Sequence, residues 1–244
     1  MRGGARVTIQ TLEYILRLCH PASISNPPIL ELDVIKGVLG AARKYGMDGA
    51  EIFIRNALIS PRFPGKEPMR VFAIACLFKA TREARIAAAA TLEFDIAEEL
   101  GYINELEDIS GADLFHIQDY HKHCKKLARE YIDTVIDSCE SIIMSGGTNI
   151  RSEEGVEWRR KFYTRYLKPH KEALDQGPVG RAARAARAKE SVDKALQSAP
   201  ACTSCNQHVG AFELESSVTS IGEEIDGIIS KVKLSQWELR VPVE

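Results

Sequence analysis

The sequence is short of aromatic residues, of net charge and of long apolar runs. Phe, Trp and Tyr make up 7% of its 244 residues, and its net charge at neutral pH is -2. Such a charge creates no overall field that would select nucleic acid, and none strong enough to repel it. No apolar run approaches the roughly 20 residues that a membrane-spanning helix needs. The length is sufficient for a sizeable core in one large domain or two small ones.

The six cysteines do not form the dense framework of a small secreted domain. Four of them, Cys19, Cys76, Cys124 and Cys139, fall inside helix-like apolar patterns. The N-terminal segment has a charged start but no apolar core of signal-peptide length before Glu13. We therefore expect a reduced, intracellular protein of the cytoplasm or nucleus, without a membrane segment.

Apolar side chains recur every three to four residues through most of the chain, which is the pattern of amphipathic helices. Breaks rich in proline separate them at "HPASISNPP" (20–28) and "SPRFPGKEP" (60–68). The predicted inward positions of the first three helices are Leu12, Ile15, Leu16 and Cys19; Val34, Ile35, Val38, Leu39 and Ala42; and Ala50, Phe53, Ile54, Ala57 and Leu58. No convincing strand pattern is present, so the predicted fold class is all-α.

Two helix starts carry capping signals, Asp48-x-x-Glu51 and Ser110-x-x-Asp113. The second opens the longest predicted helix, roughly to Met144. Its inward stripe is predicted to run through Leu114, Ile117, His121, Cys124, Ala128, Tyr131, Val135, Cys139 and Ile142. A final helix has a 3–4 alternation of apolar residues at Ala211, Leu214, Val218, Ile221, Ile225, Ile228 and Val232. This seam can pack along a neighbouring helix but is short for an independent coiled coil.

The segments "TLEYILRLCHP", "LDVIKGVLGAARKYGMDGA" and "EIFIRNAL" resemble the C-terminal half of a BTB/POZ domain. The Ala-Ala-x-x-Tyr-x-Met run at 41–47 carries most of this resemblance. The continuation "SPRFPGKEPMRVFAIACLFKATREARIAAAATL" and "YINELEDISGADLFHIQDYHKHC" resembles one fungal class of BTB-domain proteins. The resemblance implies a non-enzymatic interaction module that binds other proteins. Relatives in the wider BTB group act as adaptors for cullin-type ubiquitin ligases or for transcriptional co-regulators.

The strands and the dimerising helix that open a full BTB domain have no counterpart in this sequence, which resembles only the later helices. We interpret 1–58 as a partial BTB/POZ domain, 60–145 as a helical extension and 146–244 as a C-terminal helical region. The expected architecture is a multi-helix array, in which long antiparallel helices follow the BTB half. The familiar BTB dimer interface is built largely from the part without a counterpart. A homo-oligomer formed by that route is therefore not implied.

The stretch "PACTSCNQHVG" (200–210) places Cys202, Cys205 and His208 within seven residues. A structural zinc ion needs four ligands, and the best further pair is His121 and Cys124, three residues apart on one predicted helical face. The alternatives are buried thiols at a helix start, together with a core histidine and a small apolar residue on the long helix. We expect no metal, no cofactor and no catalytic residue, and the zinc interpretation stays open.

The segment 157–187 interleaves aromatic and basic residues. It contains "EWRRKFYTRYLKPHK", and Arg181, Arg184 and Arg187 follow along one edge. This composition suits phosphate contacts and base stacking, so a nucleic-acid-associated regulator is the alternative function. A packed aromatic edge beside a solvated basic face is the commoner outcome, and nucleic acid is therefore not the expected partner.

A cullin-binding adaptor would place contacts on the exposed sides of the second and third helices. The basic side chains available there are Lys36, Arg43, Lys44 and Arg55. Basic side chains at these positions are expected to be exposed to solvent whether or not a partner binds. We therefore assign no binding site to them from the sequence.

Overall fold

The structure is a computed structural model, and it describes residues 8–19, 31–96, 101–144, 167–176, 179–181, 184–185, 189–190, 193 and 211–233. Within these ranges it contains no strand, so the predicted all-α fold class is confirmed. The α-helices with described bounds are α1 (Ile9–Cys19), α2 (Leu32–Lys44), α3 (Asp48–Leu58), α4 (Pro68–Leu77), α5 (Thr81–Thr91), α6 (Gly111–Met144), α7 (Lys168–Gln176) and α8 (Ala211–Ser230). A 3₁₀ helix, Asn104–Asp108, precedes α6.

The described residues form two compact units. The first contains those up to Thr91 together with 101–117, and the second contains 92–96 and those from Gln118 onward. The boundary between the units therefore falls inside the long helix α6. The three-part division into 1–58, 60–145 and 146–244 stays a prediction.

Helix α4 is the centre of the first unit. Its sequence "PMRVFAIACL" is apolar at nearly every position, as expected for a helix that is covered on all sides. Its residues 71–76 are buried, and Phe72 is the largest side chain with no exposure. Pro68 occupies the first turn, where its missing amide hydrogen costs nothing. Helix α4 packs against α2, α5 and the 3₁₀ helix, and α2 also packs against α1 and α3.

Helix α1 packs against α2 at a point of close approach. A Cβ atom at Gly37 would lie 2.6 Å from Thr11 Oγ1, so only glycine fits there without a shift. The buried side of α1 therefore consists of Thr11, Tyr14 and Ile15. Of the predicted stripe in this helix, Ile15 is confirmed and the other three positions are wrong, because Leu12 and Leu16 are 51% and 59% exposed and Cys19 is also exposed.

The prediction for α2 is confirmed at Ile35, Val38, Leu39 and Ala42, which are all fully buried. In α3 it holds for Ile54 and Leu58, which are also fully buried. It fails at Phe53, which is 43% exposed.

The two predicted helix caps have different outcomes. Ser110 and Asp113 exchange hydrogen bonds, since the Ser110 amide donates to Asp113 Oδ2 at 2.9 Å and the Asp113 amide donates to Ser110 Oγ at 3.2 Å. This is a complete capping box. The Asp48-x-x-Glu51 cap is wrong, because Met47 precedes the helix and makes no side-chain cap. Glu51 instead accepts hydrogen bonds from Arg43.

The inward stripe of α6 is confirmed along its first half, where Ile117, His121, Cys124 and Ala128 are buried. Further along, the buried positions are Ile132 and Ile136, one residue beyond the predicted Tyr131 and Val135. The predicted stripe assumed a spacing close to 3.5 residues, whereas an unstrained helix has 3.6 residues per turn and drifts away from that seam.

In the second unit, Gly180 and Arg184 contact two different segments of the chain. The Gly180 amide donates to the Leu92 carbonyl at 2.6 Å, and a Cβ atom at Gly180 would lie 2.6 Å from Glu93 Cα. Arg184 is buried and donates to the Gly222 carbonyl in α8 at 3.0 Å. Helix α8 buries Ile221, Ile225 and Ile229. The predicted seam is therefore confirmed at Ile221 and Ile225, whereas Ile228 is only half-buried. The side chains of Ala211, Leu214 and Val218 lie outside the described residues.

Candidate protein-interaction surface

The outer face of α3 carries large apolar side chains that the first unit leaves uncovered. Ile52 is 62% exposed and Phe53 is 43% exposed. Gly49 and Asn56, at the spacing of the same helical face, are exposed as well. We call these four residues the α3 outer face. A surface helix ordinarily presents polar side chains to water, and clustered apolar exposure is typical of an interaction site.

Ion pairs hold α3 firmly in place behind this face. Glu51 accepts two hydrogen bonds from Arg43 in α2, at 3.0 and 2.8 Å. Arg55 donates at 2.7 Å to Glu83 in α5, whose side chain is 2% exposed. These ion pairs connect α3 to α2 and to α5 on the side away from the α3 outer face. They therefore fix the position of this face within the first unit.

The exposed aromatic side chain of Tyr45 lies just beyond α2, close in sequence to this face. It is 61% exposed, and the ammonium group of Lys44 lies 5.5 Å from its ring centroid. Together these residues add an amphipathic group at the α2–α3 turn. Tyrosine is enriched at protein interfaces because its ring buries apolar area while the hydroxyl stays hydrogen-bonded.

Three of the four basic residues that a cullin-type partner would contact already form ion pairs within the first unit, and the fourth, Lys44, lies over the Tyr45 ring. Lys36 pairs with Asp108, Arg43 with Glu51 and Arg55 with Glu83. Arg43 also lies over the Phe78 ring at 5.5 Å. A partner would have to compete with these contacts. The apolar residues Ile52 and Phe53 are therefore better candidates for contact than the charges beside them.

Arg70 connects three further elements of the first unit. Its guanidinium group donates to Glu105 at 2.6 Å, to Glu67 at 2.8 Å and to Asp33 at 2.9 Å. Burial alone would raise the pKa of Glu105, but the hydrogen bond from Arg70 leaves this pKa below its ordinary value. Every strong donor of Arg70 is thus used inside the fold, and this network has a structural role.

The sequence paired His121 and Cys124 as one half of a metal site, and both are buried on α6. Burial, with a contribution from Lys125, lowers the pKa of His121 to about 4, so this ring is neutral at pH 7. Burial raises the pKa of the Cys124 thiol to about 12. The side chain of Tyr120 is hydrogen-bonded to Cys124. These are properties of core residues.

The other residues of the zinc interpretation, which are Cys202, Cys205 and His208, lie outside the described residues. Among the residues that the structure does describe, no three His, Cys, Asp or Glu side chains are grouped so as to hold a metal ion.

A groove of about 770 Å³ runs along α6 in the second unit. Its lining is mostly charged, and the charges are mixed in sign. Lys125 lies 3.9 Å from Asp95, and Lys126 lies 3.7 Å from Glu130. The residues that line the groove are Asp95, Ile96, Gln118, His121, Lys122, Lys125, Lys126, Arg129, Glu130 and Asp133. Because three acidic side chains line the groove together with the four basic ones, and two of the bases lie within 4 Å of an acid, the groove does not form the positive track that a nucleic-acid strand requires.

Of the basic and aromatic segment 157–187, the structure describes only part. There, Lys171 pairs with Asp133. Arg184, which the nucleic-acid interpretation placed along one edge as a possible phosphate contact, is 4% exposed and pairs with Asp226. Arg181 is exposed, and its side chain lies 3.5 Å from the same carboxylate. These basic residues therefore serve internal contacts in the second unit.

Sequence reasoning missed the α3 outer face because Phe53 fits a 3–4 apolar spacing with the core residues of α3. A signal was nevertheless present. Ile52, Phe53 and Ile54 are consecutive large apolar residues, and successive helical positions point about 100° apart. The three side chains cannot all face one core, so at least one had to point outward.

Among the described helices, none is both long and apolar enough to cross a bilayer. No family model, no curated protein and no solved structure matches this chain. The function is therefore argued from the geometry of the surface.

Proposed function

We propose that this protein is a non-enzymatic protein–protein interaction module that binds a partner through the α3 outer face. The observation that carries the proposal is the exposure of Ile52 and Phe53 on a helix whose opposite side is fully buried. Full burial of a side chain of this kind contributes about 1.5 to 3 kcal/mol. The best-suited partner presents an apolar helical surface, since α3 offers a straight face about two turns long.

The sequence resemblance to fungal BTB-domain proteins supports the same role. It implies an adaptor for a ubiquitin ligase or a transcriptional complex, and it covers the segments that form α1 to α5 and the first part of α6. The buried thiols add support, because burial raises the pKa of both Cys76 and Cys124 and keeps them protonated at neutral pH. A protonated, inaccessible thiol is a poor nucleophile.

The test is affinity purification of the tagged full chain from its own cells, with quantitative mass spectrometry. The Ile52→Ser/Phe53→Ser variant is compared with wild type and with Ile86→Ser, which removes an apolar side chain that is 37% exposed on α5. We expect at least one protein to be reduced about tenfold or more by the double substitution and retained by Ile86→Ser.

Circular dichroism and the thermal midpoint establish that the variants fold as wild type does, which is expected because both replaced side chains on α3 are exposed. If the double variant and wild type recover the same proteins in the same amounts, the α3 outer face is not the binding surface and the proposal fails.

The nucleic-acid alternative has a separate test. It predicts retention of the full chain on a heparin column that is lost at moderate salt, because phosphate-binding contacts are salt-sensitive. The mixed charges of the α6 groove and the buried position of Arg184 favour flow-through at low salt. Flow-through would remove the alternative and leave the interaction module.

A further inference from the structure

Arg82 places a cationic group at one end of the α3 outer face. It lies in the first turn of α5, and its Nη1 atom donates to Asn56 Oδ1 at 3.3 Å. Asn56 belongs to the α3 outer face and lies in the last turn of α3. The Arg82 side chain is 66% exposed. The guanidinium group is therefore accessible beside the C-terminal end of this face.

The charge of Arg82 is not neutralised within the part of the chain that the structure describes. The nearest carboxylate there belongs to Glu83, whose Oε1 atom lies 4.0 Å from Arg82 Nη1. The Glu83 side chain is only 2% exposed, and it already accepts a hydrogen bond from Arg55 at 2.7 Å. Because 4.0 Å is too long for a hydrogen bond, Arg82 keeps a surplus positive charge that faces water.

The other charges beside the α3 outer face balance one another. The ion pairs behind it join two arginines to two glutamates. At the N-terminal end of the face, the exposed side chains of Lys44 and Asp48 have opposite signs. The surplus charge therefore lies at the C-terminal end, beside Arg82, and a complementary partner carries a negative charge at that position.

The polar groups at this end offer hydrogen-bond donors to a partner. The side-chain oxygen of Asn56 already accepts from Arg82, which leaves the NH2 group of Asn56 and the remaining N–H groups of Arg82. A carboxylate accepts from both residues and also neutralises the charge, and guanidinium–carboxylate pairs are commonly bidentate. A backbone carbonyl or a hydroxyl group would accept the hydrogen bonds but leave the charge unpaired.

The spacing along α3 determines where the carboxylate of the partner belongs. Asn56 follows Ile52 by four residues and Phe53 by three, which corresponds to ~4.5 to 6 Å along the helix axis. A partner helix that lies along α3 has the same rise per residue. Its acidic residue therefore lies about one turn from the apolar side chains that cover Ile52 and Phe53.

We propose that the α3 outer face binds an acidic amphipathic helix of another protein, in which an Asp or Glu one turn from the apolar contact residues pairs with Arg82. This inference rests on the proposed function and adds the chemistry of the partner to it. A phosphate group would also pair with Arg82. The adjoining apolar area of Ile52 and Phe53 favours a protein helix instead, because such a helix covers apolar and charged groups together.

Selection from a displayed peptide library tests the proposal with a defined probe. The library consists of alanine-rich helical peptides with two leucines three residues apart, and the positions one turn before and after them are randomised. The full chain is the bait, as wild type, Ile52→Ser/Phe53→Ser, Arg82→Glu or Arg17→Glu. The last variant is an equal charge reversal at an exposed residue of α1. Peptides that bind wild type but not Ile52→Ser/Phe53→Ser are scored.

Among the scored peptides, we expect Asp or Glu at a randomised position several times more often than in the unselected library. Arg82→Glu removes this excess and selects Lys or Arg there, whereas Arg17→Glu keeps it. In one selected peptide, replacing the acidic residue with its amide raises the dissociation constant about tenfold for wild type and much less for Arg82→Gln. Circular dichroism establishes that all variants are folded, which is expected because Arg82 is exposed.

The possible failures separate this inference from the proposed function. Scored peptides without an acidic excess, or an acidic excess that Arg82→Glu leaves unchanged, would overturn the acidic helix and leave the α3 outer face as the binding surface. If no recovered peptide depends on Ile52 and Phe53, both proposals fail.

Discussion

His121 is expected to make the stability of this protein depend on pH between about pH 6.5 and pH 4. The imidazole ring is 7% exposed in α6. Burial, with Lys125, lowers its pKa from 6.5 to about 4 in the folded chain. Between these two values the unfolded chain binds a proton at His121 and the folded chain does not. The free energy of unfolding therefore falls as the pH decreases from about 6.5 to about 4.

The size of this effect follows from the two pKa values. Each unit of difference corresponds to about 1.4 kcal/mol, so the full shift is worth about 3 kcal/mol. About 2 kcal/mol of that amount is lost between pH 7 and pH 5. The carboxylate of Glu105 contributes at a lower pH. Its folded pKa lies below the ordinary value, so the stability it provides is lost only as the pH falls below about 4.5.

Urea unfolding of wild type and His121→Gln at pH 7, 6 and 5, followed by circular dichroism at constant ionic strength, measures the effect. Glutamine keeps a polar side chain of similar size that does not titrate. We expect the variant to lose the part of the pH dependence that His121 contributes, about 2 kcal/mol between pH 7 and 5, whatever its stability at pH 7. Equal slopes in the two proteins would refute the assignment of a buried, neutral His121.

Two substitutions test packing and charge burial separately. Gly180→Ala places a Cβ atom 2.6 Å from a backbone atom of Glu93. We expect it to lower the free energy of unfolding, measured in urea, by about 1 to 3 kcal/mol. The control is Gly227→Ala, where nothing lies within 4 Å of the added Cβ atom, and we expect it to leave the free energy of unfolding unchanged or slightly higher. Glu83→Gln removes the buried charge that accepts from Arg55 and is expected to lower the thermal midpoint by an amount equivalent to about 1 to 3 kcal/mol. Arg17→Ala, in an exposed pair, is expected to change it by less than about 1 kcal/mol. Equal effects within either pair of variants would contradict the contacts described.

The sequence predicts the α3 outer face only in part. The run Ile52, Phe53, Ile54 indicates that one apolar side chain must point outward, but it does not indicate which one. The choice depends on α2 and α5. Glu51 and Arg55 are tied to these helices by ion pairs, and this rotation of α3 places Ile54 inward and leaves Ile52 and Phe53 exposed.

The same ambiguity explains why only Ile15 is buried among the four predicted inward positions of α1. Both of its faces have apolar residues at helical spacing, so periodicity alone cannot separate them. The buried side includes Thr11, which closely approaches Gly37 in α2. Leu12 and Leu16 remain exposed on the other side.

Local sequence by itself determined that the chain is helical, that the Ser110 box starts α6, and that α2 has one buried side. Each of these follows from neighbouring residues within one or two turns, where hydrogen bonding and apolar spacing act without help from distant segments. Tertiary structure alone decided which face of α1 and α3 is covered and that Arg184 lies inside. These outcomes depend on residues far away in sequence, such as Gly37 beside Thr11 and Asp226 beside Arg184, whose proximity no local pattern encodes.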